Sequence, residues 1–361
     1  MKAAAAVSMV ILFLPVLLLN APLPATPDES PPEPVITLAA AGDIMMGSDF
    51  PTANLPPKDG QDLFKEVKAI FHKADIGFGN LEGPLCDGGL TTKDTENSNV
   101  FVFRTPTRFA SNLKEAGIKV VSLANNHSMD FGYFGKLSTK KALEQAGVKY
   151  SGPDEDVAEF NVRGVKIALI ALSYGPPPRS IIYPQKALAE IETLAPKYDL
   201  LIVSIHGGRE GRSAQHVKNE AEYFLGEARG NLVKFARDAI DRGAHLVLGH
   251  GPHVPRALEI YKERLIAYSL GNFCTYKGMN LDEECGYAPL LWVEMNKKGK
   301  FLRGKIHSFI QVRPGGPKPD DQARAFKLMK ALSLEDFPAS CPLFMGADTI
   351  MPLAAGGHGE E

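Results

Sequence analysis

Residues able to bind divalent metals recur in this chain at one kind of place, the point where a short apolar run ends. Asp43 follows VITLAAAG, Asn80 and Glu82 follow IGFG, and Asn125, Asn126 and His127 follow KVVSLA. Further on, LLIVSIH ends in His206, and HLVLGHGPH carries His250 and His253. Carboxylate and amide oxygens with neutral imidazole nitrogens are a donor set suited to manganese, zinc or iron, and no thiolate is required. Such a set can activate water for hydrolysis. Glycines at 42, 79, 83, 207, 249 and 251 flank these residues and permit tight turns or close approach of backbone to an anion.

Taken singly, each residue has a plainer explanation. Asp43 after Gly42, or either asparagine, can cap a turn through backbone hydrogen bonds. A histidine at a strand end is commonly a hydrogen-bonded structural residue, and His72 and His245 are read that way. What argues for one site is recurrence at five strand ends. In α/β sheets, ligands bind in the crevice beyond the carboxyl ends of the strands, so residues far apart in sequence can converge there.

The elements that must position them follow from periodicity. Strands are expected at Val35 to Ala41, Ile76 to Gly79, Lys119 to Ala124, Val165 to Leu172, Leu200 to Ile205 and His245 to Leu248. Helices are expected between them, among them Asp62 to His72, Gly135 to Ala146 and Glu220 to Asp241. A later group of strands, Arg256 to Tyr261, Leu265 to Ser269, Leu290 to Met295 and Leu302 to Val312, lacks comparable helices and suggests a second sheet of antiparallel hairpins. The class is α/β with mixed sheets.

Composition agrees with a globular chain. Of 361 residues, 44% are hydrophobic, and 40 basic residues against 42 acidic ones leave a net charge of -2. That balance gives no overall grip on nucleic acid, and none is expected as a partner. Lys2 followed by the apolar stretch Val7 to Leu19 and by small residues reads as a signal peptide over 1–21, with Ala21 and Ala25 as cleavage points. An uncleaved anchor is the alternative. Residues 22–34 are rich in proline and acid and read as a linker, 35–315 as the folded domain, and 316–361 as a C-terminal extension. Export permits disulfides among Cys86, Cys274, Cys285 and Cys341, but unpaired buried thiols fit equally.

Five ordered segments, AAAGDIMMG, ADIGFGNLEGPL, VVSLANNHSMDFG, IVSIHGGRE and LVLGHGPHVPRALEIYKERLIAYSLGNF, resemble the CapA family of bacterial capsule-synthesis proteins, related to the calcineurin-like metallophosphoesterases. The resemblance runs from about Ile36 to Phe273. It implies a four-layer α/β/β/α sandwich and a part in making or anchoring poly-γ-glutamate at the cell surface. By that resemblance Asp43 matches the first-strand aspartate, Asn126 the metal-binding asparagine, His206 the single histidine, and His250 with His253 the final pair. His127 falls where the related enzymes place a histidine near the leaving group, oriented here by Asp130.

Two departures stand out. Met45 occupies the position of a usual histidine ligand, and Asn80 that of the bridging aspartate, with Glu82 nearby as a substitute. The final histidines are also one residue further apart than usual. Of one or two divalent ions, the resemblance then implies one held by Asn126, His206 and His250, with a second site reduced to Asp43, His253 and Glu82. Arg209 and Glu210 are the substrate-binding candidates.

The expected function is that of an exported protein, periplasmic or at the cell surface, hydrolysing phosphoester or γ-glutamyl bonds with metal. The alternative is a non-catalytic component that binds and guides an anionic polymer. Membrane-bound polyglutamate synthesis proteins are the expected partners. No G-x-x-x-x-G-K-[ST] loop occurs, so ATP-driven ligation is not expected of this chain.

Overall fold

A computed structural model describes residues 1, 9, 33–96 and 100–353. Almost all of the expected signal peptide and of the linker lies outside the described residues. The described residues from 34 onward make one unit.

In chain order its elements are β1 (Ile36–Met45), α1 (Lys68–Lys73), β2 (Ile76–Leu81), α2 (Ala110–Ala116), β3 (Val120–Ser122), α3 (Gly132–Ala146), β4 (Lys149–Ser151), β5 (Ala158–Val162) and β6 (Val165–Ser173). These are followed by α4 (Gln185–Leu194), β7 (Leu200–His206), the short hairpin β8 (Glu222–Phe224) and β9 (Glu227–Gly230), α5 (Leu232–Asp241) and β10 (Leu246–His250). The chain continues through β11 (Leu258–Tyr261), β12 (Arg264–Ala267), β13 (Asn272–Thr275), β14 (Tyr287–Met295) and β15 (Phe301–Gln311). Past residue 315 come β16 (Pro317–Pro319), α6 (Arg324–Asp336), β17 (Leu343–Met345) and β18 (Thr349–Met351), all three strands joining the first sheet.

Two mixed sheets carry the fold. In the larger, the order is β17-β18-β15-β14-β1-β2-β3-β4, with β13 pairing the end of β1. In the smaller it is β11-β12-β10-β7-β6-β5. The central strands β1 to β3 and β6, β7, β10 and β12 run parallel, and they read as unbroken apolar runs because both of their faces are covered.

Three apolar cores show the covering. One lies between the sheets and joins Leu38, Phe78 and Leu291 of the first to Ile167, Ile202 and Leu248 of the second. Another sets Phe71, Leu113 and Leu143 of α1 to α3 against the outer face of the first sheet. A third sets Leu188, Ile191 and Ala236 of α4 and α5 against that of the second.

Three expectations about elements are corrected. The hairpin strands near 290 and 302 do not join those near 256 and 265 in a separate sheet. β14 instead pairs antiparallel with β1 over Ile36 to Ala41, where Leu291 and Val293 enter the core between the sheets. Nor is Glu220 to Asp241 one helix. Leu225 and Gly226 adopt left-handed φ values of 48° and 83° and reverse the chain between β8 and β9. The helix starts only after Asn231, whose side chain caps it by accepting from the Lys234 N–H at 2.9 Å. Of the expected Asp62 to His72 helix, only Lys68–Lys73 is regular helix.

Candidate metal centre

The end of β1 is set by a close backbone approach. A side chain on Gly42 would begin 1.9 Å from the Gly271 carbonyl oxygen, and that same oxygen accepts the Asp43 N–H at 2.8 Å. Pairing with β2 shifts register between Ala40 and Asp43, so Asp43 comes level with Asn80. In the second sheet His250 of β10 stands level with His206 of β7, and Gly249 leaves room for the Tyr268 carbonyl at 2.2 Å from where a Cβ would be. Both pairs therefore sit at carboxyl ends of parallel strands, as the sequence pattern requires.

Asp43 is the hub. Its Oδ2 lies 2.9 Å from His253 Nδ1, its Oδ1 3.6 Å from His250 Nδ1, and Oδ1 also accepts the Asn80 amide at 2.9 Å. The same Asn80 amide group donates to Glu82 Oε2 and lies 3.5 Å from His206 Nδ1. Asn80 Oδ1 is turned away and accepts from Asn125, whose own oxygen takes the His127 N–H. Asn80 thus ties two carboxylates together through N–H groups, and its oxygen does not face them.

Burial without partners marks this cluster. Asp43, Glu82, His206 and His250 are at most 1% exposed. Glu82 Oε1, Asn126 Oδ1, His206 Nε2 and both ring nitrogens of His250 meet no hydrogen-bond partner among the described residues. Such orphans are expensive in a folded protein unless a further group satisfies them. One donor atom each from Asp43, Glu82 and His206 falls within 4.8 Å of the others, a spacing that fits a single ion. The arrangement differs from the expected division: Asp43 and Glu82 gather with His206, while His253 is engaged with Asp43.

The electrostatics follow from that crowding. Burial pushes the Glu82 carboxyl well above its ordinary range, and the Asp43 charge adds to this. Burial also opposes ionisation of Asp43, but the imidazoles of His250 and His253 beside it, the latter in hydrogen-bond contact, hold it far below the usual carboxylate range. Burial pushes His206 well below the ordinary imidazole value. For His253 burial works against the proton, yet Asp43 outweighs it and holds the group up at about 10.

His127 and Asp130 come together as expected. His127 Nδ1 is 2.9 Å from Asp130 Oδ2, which also accepts the Phe103 N–H at 2.7 Å, and the ring lies 4.4 Å from that of Phe103. Lys93, which the sequence reading did not single out, pairs its ammonium with Asp130 Oδ1. Burial lowers the His127 pKa, with Asp130 opposing.

A cavity of about 1250 Å³ opens over these groups, with Asn126, His127 and His253 in its lining. Glu210 also lines it, but Arg209 does not: its guanidinium turns back to the Ser213 carbonyl at 2.7 Å. Arg229 takes the wall position instead, 4.3 Å from the Tyr174 ring centroid and bonded to Glu210 at 2.6 Å. It was hidden from sequence because it sits in the stretch read as helix. Cys86, Cys274, Cys285 and Cys341 are buried free thiols.

Comparison with known proteins places the chain. The family described as bacterial capsule synthesis protein PGA_cap matches residues 37–277, which include every residue of the cluster. The chain is similar to the capsule biosynthesis protein CapA of Bacillus anthracis, 27% identical over 305 residues that cover 79% of this chain and 69% of that one. It is likewise similar to the PGA biosynthesis protein CapA of Bacillus subtilis (strain 168), 27% identical over 262 residues, 68% of this chain and 64% of that one. It thus spans about two thirds of the length of these relatives. Among solved structures, the NAD nucleotidase (NadN) of Haemophilus influenzae overlaps 83% of this chain and 56% of its own at 13% identity, with a TM-score of 0.40. With the match spanning β1 to the residues just past β13, the chain belongs to the PGA_cap family of bacterial capsule synthesis proteins.

Proposed function

We propose that this chain is an exported, metal-dependent hydrolase acting on phosphoester or γ-glutamyl bonds in the making of a poly-γ-glutamate capsule. The observation that carries the reading is the set of buried, unpartnered donor atoms on Glu82, Asn126, His206 and His250 beside Asp43. Family membership supports the capsule context. The leader-like N-terminus supports work outside the cytoplasm, in the periplasm or at the cell surface, alongside membrane-bound synthesis proteins.

Asp43, Glu82, His206, His250 and Asn126 would hold a divalent ion, which when bound would supply Lewis acidity and lower the pKa of water. The chain's own residues do the rest. Asn80 keeps Asp43 and Glu82 together despite their mutual repulsion. Asp130 holds the His127 ring by Nδ1, leaving Nε2 as the atom at which a proton passes to the leaving group. Phe103 packs on that ring and limits water. Glu210, braced by Arg229, presents a carboxylate to the cavity.

The test is elemental analysis of the purified protein, wild type beside His206→Ala and His250→Ala, with assays on an aryl phosphodiester and on poly-γ-glutamate. Stoichiometric metal lost in both variants together with turnover is expected. A second reading, polymer binding without turnover, is favoured by one observation, that Asn80 offers N–H groups where a bridging carboxylate would stand. Protein that stays metal-free after reconstitution and still binds polymer would establish it instead.

A further inference from the structure

One wall of the cavity carries two cations that no carboxylate among the described residues pairs with. Lys277 and Arg313 both line it, and neither forms an ion pair or side-chain hydrogen bond among the described residues. The Lys277 ammonium lies 5.8 Å from the centroid of the Tyr276 ring. Asp94 and Asp282 also line the cavity, yet neither pairs with them. The other cations there are neutralised locally, Lys93 by Asp130 and Arg229 by Glu210 and Glu227.

The two cations stand on a braced platform and not on loose loops. The Lys277 N–H donates to the Pro314 carbonyl at 2.7 Å, which locks the two segments together. Beneath them, Gln311, 2% exposed, accepts the Thr275 N–H at 2.7 Å through Oε1. Gly315, at a φ of 128°, lets the turn pass so near Thr275 that a Cβ would lie 1.8 Å from its carbonyl oxygen. The platform is continuous with the metal cluster, because β13 pairs with the end of β1 and the Tyr276 N–H donates to the Met45 carbonyl at 2.8 Å. At about 1250 Å³ the cavity also exceeds the roughly 300–1,000 Å³ of a pocket for one small molecule.

We propose that Lys277 and Arg313 form an anion-binding subsite that engages a carboxylate or phosphate of the substrate away from the bond that reacts. Unpaired cations on the wall of a cleft raise the local concentration of anions and fix the register of a chain carrying several of them. The inference rests on the reading of the cavity as a substrate site, and it adds to that site a contact remote from the reacting bond.

The experiment measures binding by fluorescence anisotropy with two labelled probes, a short γ-linked glutamate oligomer and a linear polyphosphate, on protein as purified. In the double variant Lys277→Ala with Arg313→Ala, affinity for the oligomer, the polyphosphate or both falls about tenfold at low salt, and the loss shrinks as salt rises. Lys277→Arg retains affinity. Lys262→Ala, whose ammonium pairs with Asp241 outside the cavity, leaves affinity unchanged. The probe that shows the loss tells carboxylate from phosphate.

Unchanged affinity for both probes in the double variant overturns the subsite, as does an equal loss in Lys262→Ala. Because the readout is binding, it separates from the hydrolase reading. A tenfold loss in protein that holds no metal keeps the subsite and removes the hydrolase, whereas retained metal and turnover with unchanged affinity removes the subsite alone.

Discussion

His253 Nδ1 lies 2.9 Å from Asp43 Oδ2, a contact closed across 210 residues of chain. His253 takes a left-handed φ of 58° to stand there, which for a non-glycine residue costs roughly 1–2 kcal/mol. The ion pair must offset that cost, and in protein stripped of metal it does so in a pH-dependent way.

With His253 held up at about 10 against an ordinary 6.5, its contribution is complete below 6.5 and is lost as pH rises through 10. Asp43, held below its ordinary 3.8, contributes above that value and loses it only in acid. Urea unfolding of chelator-treated wild type and His253→Ala should therefore show a stability gap at about pH 6 that narrows by about 1–3 kcal/mol near pH 10. A gap independent of pH would contradict the pairing.

Asn80→Asp replaces the N–H clamp between Asp43 and Glu82 with a third buried carboxyl. Without metal the variant should be less stable by about 2 kcal/mol or more, because like charges are forced together out of water. Adding manganese should raise its melting temperature more than that of wild type, since the new oxygen can bridge. Thermal unfolding with and without the ion reads both effects, and equal shifts in the two proteins would show that Asn80 does not limit metal binding.

Gly42→Ala should strike the centre through the backbone. Its Cβ meets the Gly271 oxygen at 1.9 Å, the atom that anchors the Asp43 N–H. A loss of about 1–3 kcal/mol is expected, with weaker metal binding as Asp43 shifts. Gly88→Ala, with nothing within 4 Å of the added carbon, serves as control and should leave both unchanged. Calorimetric unfolding and metal titration of the two variants decide it.

His245 offers a second titration away from the centre. Its Nδ1 accepts the Leu201 N–H at 3.0 Å, and burial lowers its pKa to about 4 from 6.5. The unfolded chain takes up the proton first, so stability falls as pH drops from 6.5 toward 4, by about 2–3 kcal/mol in all. In His245→Asn, whose side-chain oxygen can accept the same N–H, that part of the acid sensitivity should disappear. Parallel acid titrations of urea stability that coincide for the two proteins would refute it.

What the sequence determined by itself was the local grammar. Apolar runs with both faces buried mark β1, β2, β3, β7 and β10, and donor residues fall where those runs end, which sufficed to point Asp43, Glu82, Asn126, His206 and His250 to one end of the sheets. It also determined the pairing of His127 with Asp130, three residues apart on one turn. Tertiary structure alone decided which strands share a sheet, since β14 chooses β1 through burial in a core that neither strand encodes separately. It decided that Arg229 and not Arg209 faces the cavity, because a left-handed turn at Leu225 and Gly226 converts an apparent helix into a hairpin. It decided, too, that Asn80 turns its amide N–H groups to Asp43 and Glu82. That orientation depends on Asn125, which holds Asn80 Oδ1 from a neighbouring strand end, and a contact made across 45 residues leaves no trace in local spacing.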